Sequence, residues 1–130
     1  MPQGKEASAV ERLRRWARSR RVVVRDQSMV PTLLPGDRLR VDTAAYRLRA
    51  PRAGELVVVV DPEREDRWLV KRVAAVRSAT DPPPPTTWVT TLSDAPGPTR
   101  DSRSFGEVDL AHVVGRVYFR YAPPERRAEL

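Results

Sequence analysis

The chain has 130 residues, 40% hydrophobic and 32% charged, with a formal net charge of +7, which suits one domain with a modest core. It has no cysteine and one histidine, His112, which excludes a disulfide framework, a cysteine nucleophile, cysteine-based zinc sites and any metal centre built from several histidines. The longest apolar run, residues 56–60, falls far short of the ~20 residues of a membrane span, and residues 1–20 lack the apolar centre of a secretory signal, so a soluble, cytoplasmic protein is expected.

The basic excess is almost entirely arginine, with 22 Arg against two lysines, Lys5 and Lys71. Acidic residues are interleaved through most of the chain. The charge therefore reads as a compositional habit more than as a nucleic-acid footprint, and no nucleic-acid partner is expected.

In chain order, "EASAVERLRRWARSR" (6–20) predicts a basic helix with Val10, Leu13, Trp16 and Ala17 on one face. It packs on the domain or frays as a tail; the alternative is weak contact with an anionic membrane surface. "RRVVVR" (20–25) predicts a strand leading to a bend at Ser28. Pro35-Gly36-Asp37 is a turn signal, and "RLRVD" (38–42) alternates as a second strand. "GELVVVV" (54–60) and "RWLVKRVAAV" (67–76) predict strands joined by a charged, hairpin-like connection. A proline-rich loop (78–87) precedes the short strand "WVTTL", an irregular loop spans 93–106, and "VVGRVYFRY" (113–121) predicts the last strand. The expectation is a mainly β domain over 21–122, a basic N-terminal helix or tail over 1–20 and a C-terminal tail over 123–130.

Lys71 stands out. At period two it shares one face with Leu69, Val73 and Ala75. A lysine so placed usually snorkels to water. Yet a chain that uses arginine nearly everywhere has lysine here, beside Arg72. Arginine stays protonated in proteins, whereas a buried lysine can lose its proton. At the ordinary lysine pKa roughly one side chain in two thousand is neutral at pH 7. A depression of about three units would make the neutral amine abundant, and it could then take the proton of a serine hydroxyl.

Three blocks carry a resemblance. "SMVPTLLPGDRLRV", "LVKRVAAV" and "SDAPGPTRDSRSFGEVDLAHVVGRV" occur in the order of the nucleophile, lysine and third motifs of signal peptidase I-like serine proteases, and together cover most of residues 22–121. The resemblance implies a signal peptidase-like coiled β-sheet, Ser28 as nucleophile and Lys71 as general base. It implies Thr99 as the hydroxyl that orients the lysine, Asp94, Asp101 and Arg103 as braces of the loop behind it, and no metal or cofactor. Within that superfamily, the short length and missing anchor look like nickel-type superoxide dismutase maturation proteases. The implied partner is then a precursor protein, the nickel superoxide dismutase with its N-terminal leader.

Asp26 stands two residues before the serine, where relatives carry an oxyanion-stabilising serine or a glycine, and an ionised carboxylate there cannot donate a hydrogen bond. Gln27 is also unusual, and Ser93 and Ala95 replace a glycine and an asparagine of the third motif. Two alternatives stay open: a general signal peptidase I-like enzyme acting on Ala-x-Ala preproteins, and a catalytically inactive basic binding domain. Ser102 reads as a loop-capping residue, and His112, before "VVGRV", as a surface or core-edge histidine and not a triad base.

Overall fold

A computed structural model describes residues 8–130; residues 1–7, including the start of the expected N-terminal helix, lie outside the described residues. The fold is mainly β. Helix α1 (Ala9–Arg18) starts at a reciprocal cap in which Ser8 Oγ accepts from the Glu11 N–H and the Glu11 carboxylate accepts from the Ser8 N–H. Eight strands follow: β1 (Ser19–Val23), β2 (Arg38–Asp42), β3 (Leu56–Asp61), β4 (Arg64–Ala79), β5 (Thr86–Leu92), β6 (Val108–Asp109), β7 (Val113–Ala122) and β8 (Ala128–Glu129). One turn of helix, α2 (Ser102–Phe105), interrupts the loop between β5 and β6.

The strands form one antiparallel sheet in the order β1-β2-β7-β3-β4-β5-β6, with β8 added to β7. The run of four valines in β3 explains its central position. Leu56 and Val58 enter one core with Met29, Leu33, Leu39 and Val117, while Val57 and Val59 enter a second core with Leu69, Val73, Val89 and Val108. A strand buried on both faces reads as a continuous apolar run, and a single sheet covers both of its faces only by coiling its ends over its middle.

Two expectations shift. The charged connection between β3 and β4 is tighter than its sequence suggested, because residues 64–66 already belong to β4. The segment over 123–130, expected as a tail, folds back. Ala128 and Glu129 pair with β7, the Leu130 N–H reaches the Tyr118 carbonyl at 3.0 Å, and Arg126 makes a forked ion pair with the buried Asp37 at 2.9 and 3.0 Å. A buried carboxylate needs such a partner, and this one lies 89 residues away in sequence.

Candidate active site

The loop between β1 and β2 is closed at its neck. The Val24 N–H donates to the Asp37 carbonyl at 2.9 Å, and the Gly36 N–H donates to the Val24 carbonyl at 2.8 Å. Gly36 has a φ of +94°, a conformation glycine adopts without a Cβ penalty, which is why Pro35-Gly36-Asp37 can reverse the chain here. Asp37 accepts from the Leu34 N–H as well as from Arg126. Met29 and Leu33, with 1% and 0% of their surface exposed, pin the loop to the first core. Ser28 is left at the surface of that fixed loop, one residue before its anchor.

Lys71 lies on β4 opposite Val57 and between Leu69 and Val73, so the face read from period two is the buried one. It is 1% exposed. Its Nζ lies 3.0 Å from Ser28 Oγ and 2.9 Å from Ser93 Oγ. Burial lowers its pKa; Asp26 and Asp101 pull it back up, and Arg100 and Arg67 push it down. The side chain does not snorkel, because both hydroxyls meet the nitrogen inside the fold.

Ser93 reaches the lysine through strand register. Arg72 pairs with Leu92 at the end of the β4–β5 ladder, so the next residue of each strand in the direction of Ser28 brings Lys71 and Ser93 together. The Ser93 N–H donates to Asp101 Oδ2 at 2.8 Å. Asp101 is fully buried, caps α2 and also pairs with Arg103 at 2.8 Å. Burial would raise the pKa of Asp101, but Arg103 and the Ser93 and Arg103 amides hold it well below the usual carboxylate range.

Thr99, expected to orient the lysine, turns its hydroxyl to other partners. Its hydroxyl donates to Asp101 Oδ2 at 3.4 Å and accepts from Arg103 at 3.5 Å, whereas the hydroxyl that meets Nζ belongs to Ser93. Thr99 lines the same opening as Ser28 and Lys71, with its hydroxyl turned to Asp101 and not to Nζ. Asp94 pairs with Arg72 at 2.7 and 2.8 Å and accepts from Thr32 Oγ1 at 2.7 Å, which ties the loop after β5 to β4 and to the Ser28 loop. The Ala95 N–H donates to the Ser28 carbonyl at 2.9 Å. Ser102 joins α2 to β5 through the Thr91 N–H at 2.8 Å. His112 lines a different cavity, with Trp88 and Asp109.

Asp26 closes a local turn. Its Oδ1 accepts the Ser28 backbone N–H at 3.0 Å, and its Oδ2 lies 3.9 Å from Arg67. Burial pushes the Asp26 pKa up, but the Ser28 hydrogen bonds, Lys71 and Arg67 together hold it below the usual range.

A groove of about 290 Å³ runs beside Ser28 between residues 22–26 and residues 66–70. Its walls are strand edges. Val24 turns its amide and carbonyl toward Asp37 and Gly36, so its neighbours Val23 and Arg25 direct theirs the other way. On the facing side, β4 pairs with β3 along 64–72 but with β5 only from Arg72 onward. A second opening of about 370 Å³, lined by Ser28, Lys71, Arg67, Thr99 and Pro96 among others, continues past Ser28.

Residues 10–78 match the family model described as signal peptidase, peptidase S26. The chain is similar to the mitochondrial ATP-independent inner membrane protease subunit 1b of Arabidopsis thaliana, with 32% identity over 111 residues, 74% of this chain and 66% of that relative. It is also similar to the probable signal peptidase I-1 of Synechocystis sp., with 25% identity over 139 aligned positions, 79% of this chain and 71% of that relative.

Proposed function

The chain belongs to the signal peptidase, peptidase S26, family, and from that premise we propose that it is a Ser/Lys serine endopeptidase that removes the N-terminal leader of the nickel superoxide dismutase precursor in the cytoplasm. The observation that carries the chemistry is the 3.0 Å approach of a 1% exposed lysine nitrogen to the hydroxyl of Ser28.

A neutral Lys71 amine has two N–H donors and one lone pair. One N–H is directed to Ser93 Oγ, which leaves the lone pair for the Ser28 proton. As Ser28 Oγ bonds to the scissile carbonyl carbon, its proton passes to Nζ and the carbonyl oxygen takes the negative charge. Collapse of this intermediate breaks the C–N bond, and the Lys71 ammonium returns the proton to the leaving amine. Water then attacks the acyl-serine ester with Lys71 again as base, and Ser28 is restored. The edges of Val23–Arg25 and of β4 are suited to hold an extended leader as an added strand. The three sequence blocks support the Ser/Lys superfamily, and the choice of precursor rests on the chain's small size and general similarity to nickel-type superoxide dismutase maturation proteases. Purified chain is mixed with the precursor and the product mass is read. Ser28→Ala and Lys71→Ala are expected to abolish trimming while keeping the β-sheet circular dichroism; trimming at the normal rate by either variant overturns the Ser/Lys reading, and no cleavage of any preprotein by the wild type leaves the inactive binding domain.

A second reading, a general signal peptidase I-like enzyme working on Ala-x-Ala preproteins at an anionic membrane surface, is favoured by the orientation of α1. Its charged face turns inward: Arg18 makes a forked pair with Asp42 at 3.0 and 3.1 Å, and Arg15 sits 4.4 Å over the Tyr118 ring. Val10 and Leu13 face solvent, 56% and 67% exposed. An apolar stripe bordered by arginines suits an anionic interface, although no helix among the described residues is long and apolar enough to cross a membrane. Sedimentation with anionic but not neutral vesicles, lost in Leu13→Glu, supports this second reading; equal behaviour with both vesicle types removes it.

A further inference from the structure

The Ser28 N–H is the donor that the nucleophile's own backbone offers to an oxyanion, and in this structure it is already occupied. One N–H has one hydrogen, and Asp26 Oδ1 holds it at 3.0 Å. The acceptor is an anion, so it competes for the same place as the negatively charged oxygen of the tetrahedral intermediate, and two anions cannot share that donor. The same carboxylate stands near Lys71 and favours its charged form, in which the amine has no lone pair for the Ser28 proton. Both effects hold the nucleophile at rest.

The second oxygen of Asp26 shows where the carboxylate can go. It lies 3.9 Å from an Arg67 nitrogen on β4, in the wall of the groove. Both side chains are about half exposed, 51% and 45%, so no packed core opposes a rotation that closes this gap. We propose that Asp26 is a positioning residue that gates the reaction: at rest its carboxylate occupies the Ser28 N–H, and a substrate seated in the groove displaces it onto Arg67, freeing the amide for the oxyanion.

The gate works as a selectivity device. A loosely held peptide cannot displace the carboxylate and is spared, whereas a leader paired along both strand edges holds its scissile carbonyl against Ser28 long enough to do so. This rests on the Ser/Lys reading of the site. The charged groups facing Lys71 are Asp26, Asp101, Arg100 and Arg67, so removing Asp26 alone leaves one carboxylate against two guanidinium groups. The alkaline-rising limb of activity then moves to lower pH.

The test compares wild type, Asp26→Gly, Asp26→Asn and Arg67→Ala, using the nickel superoxide dismutase precursor and a short peptide spanning its processing site, with kcat and KM measured separately from pH 5 to 10. Asp26→Gly is expected to raise kcat on the short peptide at least tenfold, with a smaller gain on the precursor, and to move the rising limb down in pH. Asp26→Asn keeps the side chain's shape and shifts the limb with a smaller gain in kcat. Arg67→Ala lowers kcat. The Ser28 amide resonance should move upfield in Asp26→Gly, a direct sign of the lost hydrogen bond. Ser28-dependent cleavage that Asp26→Gly leaves unchanged or slows overturns the gate alone. Cleavage that survives Ser28→Ala, or none by wild type and Asp26→Gly alike, overturns the Ser/Lys reading and the gate with it. Ser28-dependent activity that appears only in Asp26→Gly supports the Ser/Lys reading and overturns the displacement of Asp26 by a seated leader.

Discussion

Ser93 Oγ lies 2.9 Å from Lys71 Nζ, which also meets Ser28 Oγ at 3.0 Å, and the Ser93 backbone is itself fixed by Asp101. This arrangement aims the lysine. Removing the hydroxyl leaves a buried amine with one partner fewer, and hydrogen bonds to charged groups contribute about 1.5–3 kcal/mol. Ser93→Ala is therefore expected to lower kcat by about 10–100-fold with little change in KM. Thr99→Val, which loses a hydroxyl bonded to Asp101 and Arg103 and not to Nζ, should stay within about threefold of wild type. Steady-state kinetics of the two variants decides between the hydroxyls, and a larger loss in Thr99→Val reverses the assignment.

That contrast also shows what a sequence reveals about such a site. Lys71 stood out because one of only two lysines in an arginine-rich chain sits between Leu69 and Val73, but its pairing with Ser28 came from the resemblance of the sequence blocks, since alternation alone allows a lysine that snorkels to water. The strands were readable from their β-branched runs. Ser93 was not, because its position depends on Arg72 pairing with Leu92, a register that no local pattern specifies. The fold-back of residues 123–130 was hidden for the same reason, since Arg126 finds Asp37 only after the sheet has formed. The Asp26 turn, in contrast, is local: a short carboxylate two residues before an amide is a common turn former, and that signal was present in "DQS".

Lys71 should trade stability for function. Burial lowers its pKa in the folded protein, so between the folded and unfolded pKa values the unfolded chain binds more protons and stability rises with pH. Below the folded pKa the protein carries a buried ammonium at a net cost. Lys71→Met, similar in volume and without charge, is expected to lose all activity and to be more stable at pH 7 by about 1 kcal/mol. The gain should shrink as pH rises toward 10. Lys71→Arg keeps a cation that cannot act as a base and should be inactive by about 10³-fold or more. Thermal denaturation across pH checks the first two statements, and a Lys71→Met protein less stable than wild type at pH 7 removes the premise of a destabilising amine.

The C-terminal segment should govern the Ser28 loop. Burial pushes the Asp37 pKa up, but Arg126 and the Leu34 N–H together hold it below the usual range. Its contribution to stability is thus present above the ordinary carboxylate pKa and lost as pH falls through the lower folded value. Arg126→Ala leaves a 2% exposed carboxylate with the more distant Arg120 at 3.6 Å, and about 1–3 kcal/mol of stability should go with it. Urea melts at pH 7 and pH 3 should show the variant and wild type converging at the lower pH. Equal stability at pH 7 would mean that the fold-back carries no weight.

Gly115 is the position where the sheet tolerates no side chain. It pairs with Val58 near the start of β7, and a Cβ built there collides with the Asp42 carbonyl oxygen and lies 3.0 Å from the Thr43 Cα. Both obstacles are backbone, so no flexible side chain can swing away. Asp42 ends β2 and holds Arg18 of α1 through its carboxylate, so a shift of its backbone disturbs the strand end and the helix anchor together. Gly115→Ala is expected to destabilise the fold by about 1–3 kcal/mol, as overpacking does, in spite of alanine's lower unfolded-state entropy. Limited proteolysis should then cut first between α1 and β1, and Gly115→Ala with wild-type stability and an unchanged digestion pattern would show that β2 and β7 are less closely packed than this contact requires.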